Sequence, residues 1–195
     1  GSRFTITGTT ISDNAAESGG GLWLQGGTID QATISGNTAV VGGGILVQAP
    51  TVVRRSTLTL NGATGVGGGV FVAAGSLDLD HTIVAGNRGF NPDLNGTLGT
   101  TIAARYSLIG NSAGSGLVPA PVGAPDADGN LIGGATTATR IVAQLGPLSD
   151  NGGPTKTHAL LANSPAINAG DPAAVAGVAG VPTHDQRGAP FIRVY

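Results

Sequence analysis

Asparagine closes five segments of one form along this chain: Ile11-Ser-Asp-Asn14, Ile34-Ser-Gly-Asn37, Leu58-Thr-Leu-Asn61, Val84-Ala-Gly-Asn87 and Leu108-Ile-Gly-Asn111. Successive asparagines lie 23, 24, 26 and 24 residues apart. A triple glycine keeps phase with them at Gly19-Gly20-Gly21, Gly42-Gly43-Gly44 and Gly67-Gly68-Gly69, and three apolar residues follow each triplet at once. Such a repeat restricts the chain to solenoid architectures, in which each copy buries its apolar face against the next.

Each repeat consists of short apolar or β-branched runs broken by Gly, Asn, Asp and Thr, with no amphipathic stretch long enough for a helix. Helical repeats are excluded on that ground. A period of about 24 residues accommodates three short strands and their turns, one coil of a parallel β-helix. Coils stack at about 4.8 Å, so equivalent residues lie over one another. The chain is therefore predicted to be all-β, with parallel β-helix coils over residues 1–144 and a non-repetitive segment of the same domain, residues 145–195, capping or wrapping them. Asparagines in register can pass amide hydrogen bonds from coil to coil, and Asn tolerates the left-handed backbone of a sharp turn. Asn14, Asn37, Asn61, Asn87 and Asn111 are accordingly read as one structural ladder.

Composition agrees with this architecture. Glycine supplies 35 residues and aromatic residues only 4%, too little bulk for an ordinary two-layer core but suited to narrow coils with tight turns. Hydrophobic content of 40% with 10% charge describes an ordered chain. The net charge of −2 comes from singly scattered residues, so there is no basic stripe for nucleic acid and no acidic tail. The absence of cysteine excludes disulfide frameworks, thiolate metal sites and thiol chemistry. No run is apolar and long enough to span a membrane, and no lipidation motif is present.

After the glycine triplets come Leu22-Trp23-Leu24, Ile45-Leu46-Val47 and Val70-Phe71-Val72. Strand alternation sends the outer two residues of each to one side and the middle one to the other. With the outer pairs in the interior, Trp23, Leu46 and Phe71 form an outward apolar stripe, either covered by the C-terminal segment or used for binding. Seven residues before successive asparagines stand Asp30, Arg54 and Asp80, an alternating column that reads as an ion-pair ladder. Ser112 to Pro125 reads as an extended loop, and Leu131-Ile132 as one more degenerate coil.

The C-terminal segment carries Leu145-Gly-Pro-Leu-Ser-Asp-Asn-Gly-Gly-Pro154-Thr-Lys-Thr-His158, then Ser164-Pro-Ala-Ile-Asn-Ala-Gly-Asp-Pro172, then Asp185-Gln-Arg-Gly-Ala-Pro190. Over residues 145–190 it resembles the choice-of-anchor Q domain. The resemblance implies a right-handed parallel β-helix, export, and an extracellular place on a bacterial surface, with Asp150, Asn151, Asp171, Asp185 and Arg187 in the cap motif. It brings no catalytic residues. The triple-glycine and Ile-x-x-Asn elements are similar to those of polymorphic outer membrane proteins and related adhesins. The usual anchor signal does not follow Arg193-Val-Tyr195, which leaves open how the chain is held.

Catalysis of the polysaccharide lyase or hydrolase type needs carboxylates gathered on one face. Asp13, Glu17, Asp30, Asp78, Asp80 and Asp93 do not gather so in coil register, and no catalytic residue is assigned. Asp126-Ala-Asp128-Gly129-Asn130 resembles a fragment of a calcium loop but lacks its third acidic position and closing glutamate, so a polar turn is expected and calcium is the alternative. No other cofactor is implied. His81, His158 and His184 are dispersed, although His158 and His184 could meet in the cap near Asp150 and Asp185. The threonines at 5, 7, 9, 10, 33, 57, 59 and 82 do not make a regular two-column ice-binding array. The expected function is a structural or adhesive surface element. Its partners would be further copies joined end to end through the solenoid ends, or a surface glycan or protein at the Trp23 stripe, with no nucleic acid and no membrane insertion. The alternatives are a carbohydrate-binding module and a polysaccharide-cleaving enzyme.

Overall fold

A computed structural model of the chain describes residues 4–193. It winds as a β-solenoid of about five turns without a helix among the described residues. The first coil carries β1 (Thr5–Ser12) and β2 (Leu22–Leu24), and the second β3 (Gly27–Ser35), β4 (Thr38–Ala39) and β5 (Ile45–Val47). The third holds β6 (Thr51–Arg54), β7 (Thr57–Thr59), β8 (Gly62–Val66) and β9 (Val70–Val72). The fourth holds β10 (Ser76–Asp80), β11 (Ile83–Val84), β12 (Arg88–Phe90) and β13 (Leu94–Gly96). The last coil has β14 (Thr101–Arg105) and β15 (Leu108–Ile109), with β16 (Leu131–Ile132) stacked beyond it. β17 (Leu145–Ser149) and β18 (Thr157–Leu160) form an antiparallel hairpin outside the solenoid.

Strands of successive coils pair in parallel on four faces. The first face stacks β6, β10 and β14 on the leading half of β3, and the second stacks β7, β11, β15 and β16 on its trailing half. β1 runs beneath both halves. The third face is β4-β8-β12, and the fourth is β2-β5-β9-β13. The corner between the first two faces is a left-handed residue in each coil: Gly8, Gln31, Arg55, His81 and Tyr106, with φ of 59°, 52°, 52°, 50° and 46°. Most residues resist this conformation, so the coil-to-coil pairing on both sides must hold it.

The interior is a stack of aliphatic side chains. Ile34, Leu58, Val84, Ile109 and Ile132 are in register along the second face, and Ile45, Val47, Val70, Val72 and Leu94 face them from the fourth. Each contributes on the order of 2 kcal/mol by burial. The glycine triplets serve this closeness in three ways. Gly19, Gly42 and Gly67 take positive φ. Gly20, Gly43 and Gly68 leave no room for a Cβ, which would strike the carbonyl oxygens of Thr38, Gly62 and Arg88 respectively. Gly21, Gly44 and Gly69 lie against the amides of Asn37, Asn61 and Asn87.

Beyond residue 111 the coils lose regularity: Leu131-Ile132 continues the second face as the expected degenerate coil, Ala120 bridges Ile132 antiparallel, Leu117 and Ala120 join the core, and Ile141 N–H donates to Gly110 O at 2.8 Å. Residues 145–193 wrap along the second face as a strap rather than closing an end. The reason is visible in one outward column, Thr10, Thr33, Thr57, Ile83, Leu108 and Leu131, which turns from polar to apolar along the stack. Ile83, Leu108 and Leu131 pack with Ile141, Ala143, Leu145, Ala166 and Ala169 into a second apolar cluster. The polar end receives hydrogen bonds instead.

Candidate functional site

Two hydrogen-bonded ladders run up the solenoid and absorb most of its internal polar side chains. In the first, Asn14 Nδ2 donates to Asn37 Oδ1 at 2.9 Å, Asn37 to Asn61 at 3.0 Å, and Asn61 to Asn87 at 3.0 Å. Each Oδ1 also accepts the backbone N–H of the asparagine below it. Asp13, Gly36 and Leu60, the residues before three of these asparagines, take positive φ, as does Gly86 before Asn87.

Asn111 is not the fifth rung. Gly110 is outside the left-handed region, and the Asn111 side chain accepts from Ala113 N–H in a local turn. Asp93 ends the ladder in its place, accepting from Asn87 Nδ2 at 2.8 Å and from Asn87 N–H at 3.1 Å. Pairing of Leu94 with Val70 puts Asp93 at the height of Gly69, the third glycine of a triplet. In the earlier coils that position must be glycine because the next asparagine fills the space. Here the next asparagine is displaced and a carboxylate fills it. All amides in the column point their N–H groups the same way, so an acceptor-only group at the end satisfies and polarises the row. Asp93 is 2% exposed. Burial raises its pKa to about 6, although hydrogen bonds from Asn87 and Asn111 and the charge of Arg140 pull the other way.

The second ladder had no counterpart in the sequence reading. Ala32 N–H donates to Ser56 Oγ, Ser56 N–H to Thr82 Oγ1, Thr82 N–H to Ser107 Oγ, and Ser107 N–H to Asn130 Oδ1. Each hydroxyl sends its own proton to a carbonyl two residues back. Its signal was a hydroxyl residue directly after the corner residues Arg55, His81 and Tyr106.

The charged column forms two clusters instead of a continuous ladder. Asp30 pairs with Arg54 and Arg55, the latter through two hydrogen bonds. Asp80 accepts from His81 Nδ1 at 2.8 Å and pairs with Arg105 at 3.3 Å. Burial alone would raise Asp80, but the hydrogen bond and charge of His81, with Arg105, hold its pKa below the usual carboxylate value.

The strap carries the remaining candidates. Asp150 accepts from Gly152 N–H, and Asn151 Nδ2 donates to Thr157 O and Oγ1, closing the hairpin turn. Asp185 accepts from Arg187 through both oxygens, and the Arg187 guanidinium lies 3.8 Å from the centre of the Phe191 ring. Burial would raise Asp185, but Arg187 and Arg193 bring its pKa down. A Cβ at Gly153 would strike Arg187, and one at Gly152 would strike Phe191, so the Asp-Asn-Gly-Gly and Asp-Gln-Arg-Gly motifs pack on each other. Between them Gln186 enters the solenoid, binding Thr33 Oγ1 and the Thr9 carbonyl.

His158 and His184 do not meet. His158 is buried with Nδ1 on Gly146 O at 2.7 Å and Nε2 on Ser35 Oγ at 2.9 Å, while the His184 carbonyl accepts from Gln31. The Asp171 N–H donates to His81 Nε2, and His81 stacks on Tyr106. At the calcium-like segment, the Asp126 carboxylate accepts from Asp128 N–H, Asn130 N–H and Asn130 Nδ2, which makes the polar turn. Among the described residues no three His, Asp or Glu side chains are gathered as a metal-binding group.

Trp23, Leu46, Phe71 and Asn95 are in register on the fourth face. Trp23 is 59% exposed and Phe71 half-buried, but Leu46, between them, is only 4% exposed. The stripe is thus two aromatic side chains over a buried aliphatic floor, not three equal contacts. The side-chain hydrogen bonds described above from strap to solenoid fall on the β1–β3 corner, the second face or His81, so they place the strap on another face.

No protein-family model, curated protein or solved structure matches this chain. Fold and site together define a strap-braced parallel β-solenoid that leaves Trp23 exposed on its fourth face.

Proposed function

We propose that this is a non-catalytic structural or adhesive domain of the bacterial cell surface, in which the rigid solenoid presents its fourth face to a partner. One observation carries the reading: Trp23 stands exposed in an ordered column while the strap braces a different face. A half-open tryptophan on a preorganised sheet loses little conformational freedom on contact and suits either a sugar ring or another protein surface. Of the carboxylates that catalysis would call on, Asp30 and Asp80 are engaged in ion pairs and Asp93 lies inside a ladder. The choice-of-anchor Q resemblance of residues 145–190 supports the extracellular assignment.

Residues 112–143 lie over the end of the stack at β15 and β16, which favours display by single domains over a filament joined through that end. The test is binding of the purified protein to bacterial envelope fractions. Trp23→Ala should weaken binding by about 30-fold, the loss typical of a tryptophan hot spot. Unchanged binding would sink the assignment of this face.

A further inference from the structure

Among the described residues the arginines divide into two groups. Arg54 and Arg55 reach Asp30, Arg105 reaches Asp80, Arg187 holds Asp185, and Arg193 acts on Asp185 through its field. Arg88 and Arg140 make no ion pair and no side-chain hydrogen bond among the described residues. Both line the same cleft, of about 530 Å³. One wall is made by the turns after β7 and β11, and the other by residues 137–146, which lead into the strap. No Asp or Glu lines it among the described residues. Asp93 is the acid on which Arg140 acts, and it is sealed in the interior.

An acid-free cleft with two unpartnered guanidinium groups is a local focus of positive potential in a chain whose net charge is −2. Guanidinium matches a carboxylate through paired, planar N–H donors. Thr59, Thr137 and Gln144 at the cleft add hydroxyls and an amide suited to sugar hydroxyls, beside the amides of Asn87 and Asn111. No Phe, Tyr or Trp lines it among the described residues, and its one imidazole, His158, is held at both ring nitrogens by Gly146 O and Ser35 Oγ. The volume lies within the range of about 300–1,000 Å³ typical of small-ligand sites.

We infer that this cleft binds an acidic saccharide, with uronate carboxylates held by Arg88 and Arg140. The site is separate from the Trp23 face and does not depend on the role proposed for that face.

The experiment is calorimetric titration of the whole protein at low ionic strength with a disaccharide of two linked uronic acids. Its carboxyl-reduced neutral form and sodium acetate serve as comparison probes. Saturable binding of the di-uronate is expected, weakened about 10-fold by Arg88→Gln and by Arg140→Gln, and weakened by added salt. Because Arg88 has no partner in the fold, its variant should melt at the parent temperature. The inference is overturned if the di-uronate does not bind, if the neutral disaccharide binds equally, or if Arg88→Gln leaves the affinity unchanged. Acetate matching the di-uronate would reduce the site to a carboxylate contact and overturn the saccharide assignment. Tighter binding of an acidic peptide would reassign the cleft to a protein partner.

Discussion

Asp93 is where the repeat breaks its own rule, and its chemistry should be measurable. The group holds a proton in the folded state at pH values where the unfolded chain, with a carboxyl pKa of 3.8, has released it. Its contribution to stability is therefore full below about pH 3.8 and is lost as pH rises through about 6, a difference on the order of 3 kcal/mol. Asp93→Asn should flatten the denaturant-derived stability profile across that interval. A slope identical to the parent's would exclude Asp93 as its source. Asp80 and Asp185 act oppositely: their folded pKa values are depressed, so the stability they add is present above pH 3.8 and lost as pH falls through the folded values. Sterics decide the glycines. Gly68→Ala would drive a Cβ into the carbonyl oxygens of Arg88 and Pro92 and should cost about 3 kcal/mol or prevent folding, whereas Gly62→Ala, whose Cβ would meet only Thr38 Cγ2 at 3.8 Å, should stay within about 1 kcal/mol. Comparable urea midpoints for the two would contradict the close-packing role of the triplets.

The solenoid strands were legible in the sequence because their signal is periodic and local: the asparagine frame, the glycine triplets and the apolar pairs each mark one point per coil. Interior and outward positions of Leu22-Trp23-Leu24 and its counterparts follow from alternation alone. The strap's resting place was not legible. It depends on an outward column changing from Thr10, Thr33 and Thr57 to Ile83, Leu108 and Leu131, a change along the stack that no window within one repeat displays. Asn111 was misread for a related reason, since it has the right spacing and lacks the left-handed residue before it. Gln186 is the polar half of the strap's fastening, with bonds to Thr9, Thr10, Thr33 and Thr155. Gln186→Ala should open residues 150–193 locally, seen as about 10-fold faster amide exchange there with the coils unaffected. Uniform acceleration over coils and strap would mean that the strap does not open as a separate unit.

Taken as a single body, the protein is a column whose polar side chains are largely turned inward or sideways, to ladders, ion pairs and the strap. Trp23 is one of its exposed large apolar side chains, with Phe90 on the third face another, and the reading of this domain as a presenting surface element rests on Trp23. Trp23 is the sole tryptophan of the chain, so its fluorescence reports that face without labelling. Acrylamide quenching of the intact protein, before and after addition of bacterial envelope polysaccharide, tests the reading directly. Free quenching beforehand and marked protection on binding are the expected results. Envelope binding that leaves the quenching of Trp23 unchanged would contradict the assignment of this face.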